Sequence, residues 1–208
     1  MEKAFLHGFI LALGLILPLG VQNLFVLQQG MLQPNFWRTI PAVMTAAICD
    51  TLLINAAVSG VSLLFLEQPE GRAALLLTGS IFLLYMGWKN WRSTAAVATA
   101  KNSPDSLLTA RQQIVFAMSV SILNPYAFLD TVGVIGASSL QYTGMEKTAF
   151  TVAAVLVSWL WFTGLSLLGQ VLGRLPDTMR NPLYINRFSA VFIWGSAGYL
   201  LLQVTQSF

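Results

Sequence analysis

The scarcity of charge within long apolar stretches is the feature that most limits how this chain can fold. Only 9% of its 208 residues are charged and 56% are hydrophobic, whereas an ordinary soluble domain carries about 25% charged residues. The apolar stretches also run well past the ~10-residue alternating segments of a membrane β-barrel. The sequence therefore predicts an all-α integral membrane protein.

Six intervals between charged residues are long enough, or nearly so, to supply the ~20 residues that a helix needs to cross a bilayer. The predicted transmembrane helices lie at 5–29, between Arg38 and Glu67, and at 73–91, 112–142, 148–173 and 188–206. The small and polar stretch 93–111 is predicted to be the one long loop. We interpret 1–208 as a single transmembrane domain, with repeats at about 5–92 and 112–206 around a cytoplasmic loop at 93–111.

The eleven Lys and Arg residues indicate orientation rather than a nucleic-acid surface, because they are dispersed along the chain. With six spans, eight of them fall in the loops 30–38, 89–111 and 174–187. The other three, Lys3, Arg72 and Lys147, fall on the opposite side of the membrane. The positive-inside rule then places the long loop in the cytoplasm and both termini outside.

Two short segments indicate an internal repeat. In ILPLGVQNLFVL (16–27) and ILNPYAFLDTVGV (122–134), Pro18 aligns with Pro125 and Asn23 with Asp130, each pair 107 residues apart. Each copy opens a three-helix unit, so the two units have opposite orientations, as in the inverted repeats of secondary transporters. A proline in mid-membrane frees backbone carbonyls. We therefore predict helix breaks at Pro18, Gly20 and Pro125 that face a cavity, with simple kinks as the alternative.

Two acidic residues lie deep within predicted spans. Asp50 and Asp130 each cost roughly 2.5 to 3.5 kcal/mol to insert as ions, and no Lys or Arg within a span can offset them. Protons, a metal ion or a cationic substrate could neutralise them, and two protonated acids inside a helix bundle are a further alternative. A resident metal or other cofactor is not expected, because His7 is the only histidine and Cys49 the only cysteine.

The same acids could belong to an intramembrane aspartyl protease, in which two carboxyls share a proton. Proteases of that class usually show Tyr-Asp and Gly-x-Gly-Asp, whereas here Cys49 precedes Asp50 and Leu129 precedes Asp130. We therefore favour a transporter over an enzyme. The candidate substrate-binding residues, taken from the acids and from the amides beside the breaks, are Asp50, Asp130, Gln22, Asn23 and Asn124, with both aspartates as candidates for proton coupling.

The motifs together resemble a known family. They are LPLGVQN (17–23), FVLQQG (25–30), CD (49–50), LNP (123–125) and LDT (129–131). They are similar to those of the lysine/arginine exporter (LysE-type) family of bacteria, and most of all to its arginine exporter branch. The resemblance implies a small inner-membrane protein that exports basic amino acids, coupled to the proton gradient. The family usually reads Gly-Pro-Gln-Asn, where this chain has Val21 in place of the proline.

The chemistry of the residues agrees with that expectation. Arginine carries two cationic groups and one carboxylate, so two buried acids suit the cations and freed helix amides suit the carboxylate. Proton antiport is expected because an inside-negative potential opposes the exit of a cation by ~2.3 kcal/mol per charge per 100 mV. A neutral amino-acid exporter and a cation channel or exchanger stay open as alternatives. Gly169-x-x-x-Gly173 could pack either an internal helix or a second protomer in a homodimer.

Overall fold

The computed structural model describes residues 1–17, 20–60, 107–124, 127–128 and 131–174. It also describes helical positions at 77, 80–81, 84–85, 87–88 and 91, and at 187, 190–191, 194–195 and 197–198. Every regular element in these ranges is helical, which confirms the predicted all-α class for the described part of the chain. Pro18, Pro125, Asp130 and most of the loop predicted at 93–111 lie outside the described residues.

The main elements of the described ranges are five helices of 12 to 30 residues and three shorter helical segments. The helices are α1 (Glu2–Ile16), α2 (Val21–Leu32), α3 (Ile40–Val58), α4 (Ala110–Ile122) and α5 (Gly144–Gly173). A 3₁₀ turn at Phe36–Arg38 precedes α3, and a π-helical turn at Thr131–Gly136 continues into a helical turn at Ala137–Ser139. The predicted first helix is therefore two helices. The helix α4 begins two residues before the predicted helix start at 112, and α5 begins four residues earlier than predicted.

Two described helices, α3 and α5, are each long and apolar enough to cross a membrane. The pair α1 and α2 meets the same criterion when taken together, with a bend of 78° between the two helices. The described residues thus contain up to three such spans. The helices predicted at 73–91 and 188–206 lie largely outside the described residues, although each described position within them is helical.

Glycines allow α1 and α2 to pack closely along α5. A Cβ at Gly8 would overlap the backbone of Phe150, and a Cβ at Gly30 would overlap the backbone of α5 at Ser166 and Gly169. Gly173 likewise faces the backbone of Met31. Because residue numbers rise together on both sides, α1 and α2 run in the same direction as α5. Gly169 and Gly173 therefore pack within the chain, as small residues do between membrane helices.

The helices α3 and α5 run in opposite directions, and side-chain contacts join them at two depths. At one end, the hydroxyls of Thr39 and Ser166 lie 2.6 Å apart, and both residues are fully buried. Farther along, Trp159 Nε1 donates to Thr51 Oγ1 over 3.1 Å. The start of α3 thus meets the second half of α5, and the middle of α3 meets the middle of α5.

One end of the bundle, which we call the basic end, brings together the chain near Arg38, Arg111 and Arg174. Gln33 Nε2 donates to the carbonyl of Leu108 over 3.0 Å, and Gln113 Nε2 donates to the carbonyls of Arg38 and Leu108 over 3.0 and 3.1 Å. These bonds attach the start of α4 to the end of α2 and to the residues just before α3. Residues 33–38 and 107–113, at the described edges of two predicted cytoplasmic loops, therefore lie together.

The opposite end, which we call the N-terminal end, joins the start of α1 to the start of α5. The amino group of Met1 lies 3.2 Å from the carboxylate of Glu146. The His7 Nδ1 atom lies 2.9 Å from the hydroxyl of Tyr142. Between the two ends, α3 packs against α4 and then against the π-helical turn, where Gly136 faces the backbone of Ala57. The described helices thus form two sets of opposite direction, with α1, α2 and α5 in one set and α3 and α4 in the other.

Candidate functional site

Asp50 lies on the face of α3 that points into the bundle. Its neighbours on that face, Ala46, Ala47, Ile54 and Ala57, are all buried. The exposed apolar side chains of α3 follow a different stripe, which comprises Met44, Ile48 and Leu52. Asp50 is nevertheless partly exposed. Among these inward-facing residues, Asp50 is therefore the one that its neighbours do not fully enclose.

Two neutral side chains contact the Asp50 carboxylate, one at each oxygen. Ser158 Oγ of α5 donates to Oδ2 over 3.1 Å. Gln22 Nε2 of α2 lies 3.4 Å from Oδ1 and also 3.4 Å from the carbonyl oxygen of Ala46. Both donors are almost fully buried, at 3% and 6% exposure. The structure therefore brings the predicted residues Gln22 and Asp50 together and adds Ser158 to them.

The break between α1 and α2 places Gln22 beside the acid. Gly20 is the N-cap of α2 and has an extended backbone, so Val21 is the first helical residue. That first position is one that proline also favours, which means that Val21 in place of the family proline leaves the helix start where it is. Gln22 follows in the first turn of α2. The positive end of the α2 dipole therefore lies on the same side as the Asp50 carboxylate, which it stabilises.

Asn23 satisfies a carbonyl that the helix break sets free. Its Nδ2 atom donates to the carbonyl oxygen of Ile16, the last residue of α1, over 2.8 Å. Asn23 itself is buried. A freed carbonyl in a membrane needs a partner, and here a side chain one turn into the next helix provides it. The structure thus assigns Asn23 a stabilising contact at the break.

The second predicted break follows the end of α4. Asn124 lies directly after that helix and is buried, and its carbonyl accepts a bond from the backbone N–H of Phe128 over 3.2 Å. Pro125 and Asp130 lie outside the described residues. The chain resumes as a π-helical turn at Thr131, a geometry often found at functional sites. A change of helix geometry therefore follows this segment.

The described residues use only part of the hydrogen-bonding capacity of Asp50. An ionised carboxylate offers about four acceptor positions, and the described residues fill two of them. Both donors are neutral, so the negative charge is not matched by a protein cation among the described residues. An ammonium or guanidinium group could supply both the missing donors and the missing charge. The described residues hold no group of three or more His, Cys, Asp and Glu side chains that could bind a metal.

Ser158 is the site residue that sequence reasoning did not identify. A lone serine in a long apolar helix has neither the charge of Asp50 nor a nearby proline to mark it. One signal was present, however. The repeat separation of 107 residues, applied to Asp50, points to the position just before Ser158. A search for the counterpart of each predicted site residue in the other repeat would have reached it within one residue.

Comparisons with known proteins identify relatives along nearly the whole chain. The LysE type translocator family model matches residues 13–204. The protein named "Putative amino-acid transporter YisU" from Bacillus subtilis (strain 168) is 48% identical over 197 residues, which cover 95% of this chain and 88% of that protein. The arginine exporter protein ArgO of Serratia proteamaculans (strain 568) is 34% identical, with 98% of each chain covered.

A second arginine exporter protein ArgO, from Pectobacterium carotovorum subsp. carotovorum (strain PC1), is 32% identical over 95% of this chain and 96% of its own. No solved structure matches the chain. The similarity therefore comes from sequence, and it extends across both predicted repeats.

Proposed function

Because the chain belongs to the LysE-type translocator family, a family of amino-acid transporters and not of enzymes, we propose that it exports L-arginine, and L-lysine as a second substrate, in exchange for protons. Relatives named as arginine exporters are 31 to 34% identical to it over more than nine-tenths of its length. This similarity supports a basic amino acid as substrate. The proposed location is the bacterial inner membrane, with the basic end in the cytoplasm and both termini outside.

The observation that carries the proposal is the state of Asp50. Its carboxylate lies in mid-span, it is partly exposed, and its two described partners are the neutral donors Gln22 and Ser158. An ionised acid at this depth costs roughly 2.5 to 3.5 kcal/mol. A cationic substrate would offset this cost, because none of the described residues supplies a positive charge beside Asp50. Arginine and lysine each bring a side-chain cation and an α-ammonium group.

The carboxylate of the substrate needs a different environment. The start of α2 offers one, because the first amides of a helix point outward and carry positive partial charge. Gln22 stands in that first turn and can contact both the acid and a substrate. We assign Asn23 and Asn124 to the same polar region beside the two breaks, and Asp130 to the second cationic group. Together these residues form the proposed substrate site.

Proton exchange follows from the direction of transport. The membrane potential opposes the exit of a cation by ~2.3 kcal/mol per charge per 100 mV. If a proton and the substrate compete for Asp50 and Asp130, each exported cation is balanced by an imported proton. The two aspartates are then the proton-coupling residues as well as the substrate-binding ones.

Two contacts support the proposed inverted repeat. Asp50 pairs with Ser158 and Thr51 with Trp159, and both pairs are 108 residues apart. In a protein with two related halves, a residue meets its own counterpart only near the symmetry axis. Two consecutive pairs at nearly the repeat separation therefore point to an axis that passes between α3 and α5. This axis would run beside Asp50, where transporters with inverted repeats bind substrate.

Efflux of labelled arginine tests the proposal. Cells that lack their own arginine exporter are loaded with arginine, and release is compared between wild type, Asp50→Asn, Asp50→Glu and Asp130→Asn. We expect both asparagine variants to lose at least ten-fold in rate, which corresponds to the loss of one charge-assisted bond of about 1.5 to 3 kcal/mol. We expect Asp50→Glu to keep part of the activity.

Asn55→Ala is the matched control, because the exposed side chain of Asn55 on the same helix donates to the backbone carbonyl of Thr51. It should export arginine at the wild-type rate. Undiminished arginine efflux from Asp50→Asn at several pH values would contradict the proposal. Export of neutral amino acids alone, ungated current, or cleavage of a membrane reporter would replace it with a neutral exporter, a channel or a protease.

A further inference from the structure

The hydroxyl of Ser158 behaves differently from the other hydroxyls of the described helices. Most of these hydroxyls donate to the carbonyl four residues earlier in their own helix, as in Thr45, Thr51, Ser119, Ser121, Thr148 and Thr151. Ser158 instead donates across to the carboxylate of Asp50. Its own backbone acceptor, the carbonyl of Ala154, is therefore available for a second arrangement of the hydroxyl.

The two donors at Asp50 differ in whether they can reverse. A serine hydroxyl can donate to a carboxylate and can equally accept from a carboxylic acid. The amide nitrogen of Gln22 can only donate. Turning the Gln22 amide would not help, because its oxygen would then face the carbonyl of Ala46, which the nitrogen now contacts. A proton on Oδ1 would thus confront a donor, whereas a proton on Oδ2 would meet an acceptor.

We propose that Ser158 is a positioning residue that makes Oδ2 the proton-accepting oxygen of Asp50. This proposal rests on the function proposed above and names the atom that exchanges the proton. With Asp50 ionised, the Ser158 hydroxyl donates to Oδ2. With Asp50 protonated, the O–H at Oδ2 donates to Ser158 Oγ, and the serine proton turns to the carbonyl of Ala154. Within the protein, the O–H bond of the acid is the one covalent bond that forms or breaks.

The exchange balances protons and charge. On the outer side, arginine leaves and a hydronium ion transfers a proton to Oδ2, which releases water. On the cytoplasmic side, Oδ2 returns the proton to water, and the cationic group of arginine binds the carboxylate. Gln22 stays a donor to Oδ1 in both states. The Gln22 amide therefore holds the carboxyl group in place, while the Ser158 hydroxyl changes from donor to acceptor when Asp50 is protonated.

Among the described residues, Asp50 is the one acid in the middle of the helices that surround it. The neighbouring helix α2 has no charged side chain, and the π-helical turn has none. The charged residues of α1, α4 and α5 lie near their ends, at Glu2, Lys3, Arg111, Glu146 and Lys147, with His7 two turns into α1. The nearest titratable neighbour in sequence is the thiol of Cys49. Asp130 lies outside the described residues.

The test is the pH profile of arginine exchange by the full chain in liposomes. We measure the uptake of labelled arginine into vesicles under a proton gradient of either direction. The arginine concentration is fixed, and the pH is stepped on the side from which protons load. The variants are Ser158→Ala, which removes the hydroxyl, and Ser158→Thr, which restores it. Ser166→Ala is the matched control, because Ser166 is a buried serine of the same helix whose hydroxyl pairs with Thr39 rather than with an acid.

We expect Ser158→Ala to move the pH of half-maximal exchange upward by about one unit, since one bond to a charged group is lost. The KM for arginine, measured at a pH well above that of half-maximal exchange, should change by less than about three-fold. Ser158→Thr should restore the wild-type profile, and Ser166→Ala should keep it.

A profile of Ser158→Ala that coincides with wild type, or an equal shift in Ser166→Ala, would overturn the role of Ser158. If the threonine variant does not fold, the alanine and control variants alone decide. Failure of the proposed function gives a different result, because the wild-type protein would then show no dependence on the proton gradient.

Discussion

Two buried polar clusters of this protein differ in how fully their hydrogen-bonding groups are paired. The cluster at the basic end is made of Gln33, Thr39, Gln113 and Ser166, all of them neutral and nearly all paired with carbonyls or with one another. The cluster in mid-span is built around Asp50, which is charged, partly exposed and only half filled with donors. Burial of polar groups is common to both. The difference is that the Asp50 carboxylate is charged and can still accept further hydrogen bonds. This capacity is expected of a binding site and not of a structural contact.

Within the four-residue cluster at the basic end, one atom departs from this pattern. Among the described residues, Gln113 Oε1 is buried and has no hydrogen-bond partner. Its amide nitrogen, however, donates to two carbonyls, and turning the amide would leave both carbonyls facing an oxygen. The orientation of Gln113 thus favours two bonds at the cost of one lone acceptor. This acceptor is neutral, so it does not attract a cation as the Asp50 carboxylate does.

The largest effect on stability should come from filling the glycine contacts near the basic end. Gly169→Leu would push a side chain into the backbone of α2 at Leu27 and Gly30. We expect a loss of about 3 kcal/mol in the free energy of unfolding, at the upper end for overpacked cores, as measured by thermal unfolding in detergent. Gly164→Leu is the control, because nothing lies within 4 Å of its Cβ position. Equal stability of the two variants would contradict the close packing of α2 on α5.

A smaller loss should follow from removing the amide of Gln113. Gln113→Leu deletes the donor to the carbonyls of Arg38 and Leu108, and it also deletes the lone acceptor. We expect unfolding to become easier by about 1 to 2 kcal/mol, with arginine efflux reduced only in proportion to the folded protein. A change in substrate preference would show that the basic end takes part in binding and would weaken the distinction between the clusters.

Asp50→Asn should leave stability almost unchanged although it removes transport. The substitution relieves a burial cost of roughly 2.5 to 3.5 kcal/mol. The introduced amide can keep both contacts as neutral hydrogen bonds, so together they lose only their charge assistance, about 2 to 3 kcal/mol. Their difference is within about 1 kcal/mol. Thermal unfolding of the purified variant checks this expectation. A loss of several kcal/mol would mean that Asp50 is a structural residue and not a vacant binding group.

The smallest effect should come from the ion pair at the N-terminal end. The amino group of Met1 and the carboxylate of Glu146 are both more than half exposed, and exposed pairs contribute about 0 to 1 kcal/mol. Glu146→Gln should therefore shift the free energy of unfolding by less than about 0.5 kcal/mol. A larger loss at low salt that disappears at high salt would show that this end is held by charge.

Much of the site near α2 could be predicted from the sequence. The proline and glycine before Val21 marked a break, and the structure has α1 end at Ile16 and α2 begin at Val21. Gln22 and Asp50 were predicted to serve one site, and they are in contact. These predictions worked because charge and helix-breaking residues are expensive in a membrane, so their positions carry information.

Other features left no such trace. Ser158 and the polar contacts of the basic end depend on which helices are neighbours, and neutral residues within apolar helices do not reveal that. The π-helical turn at Thr131–Gly136 depends on one additional residue per turn, which no local motif marked. The early start of α5 reflects Gly144, whose φ of 53° turns the chain into the helix. The predicted pairing of Asp130 with Asp50 stays a prediction.

The glycine contacts along α5 also limit how this protein can move. Gly8, Gly30 and Gly173 hold backbone against backbone at three levels of the same 30-residue helix. Sliding α1 and α2 by one turn, ~5.4 Å, would replace each glycine with a bulkier neighbour and cause a steric clash. These three helices therefore form one rigid arm. In the transport cycle proposed above, α1, α2 and α5 then move together and not past one another.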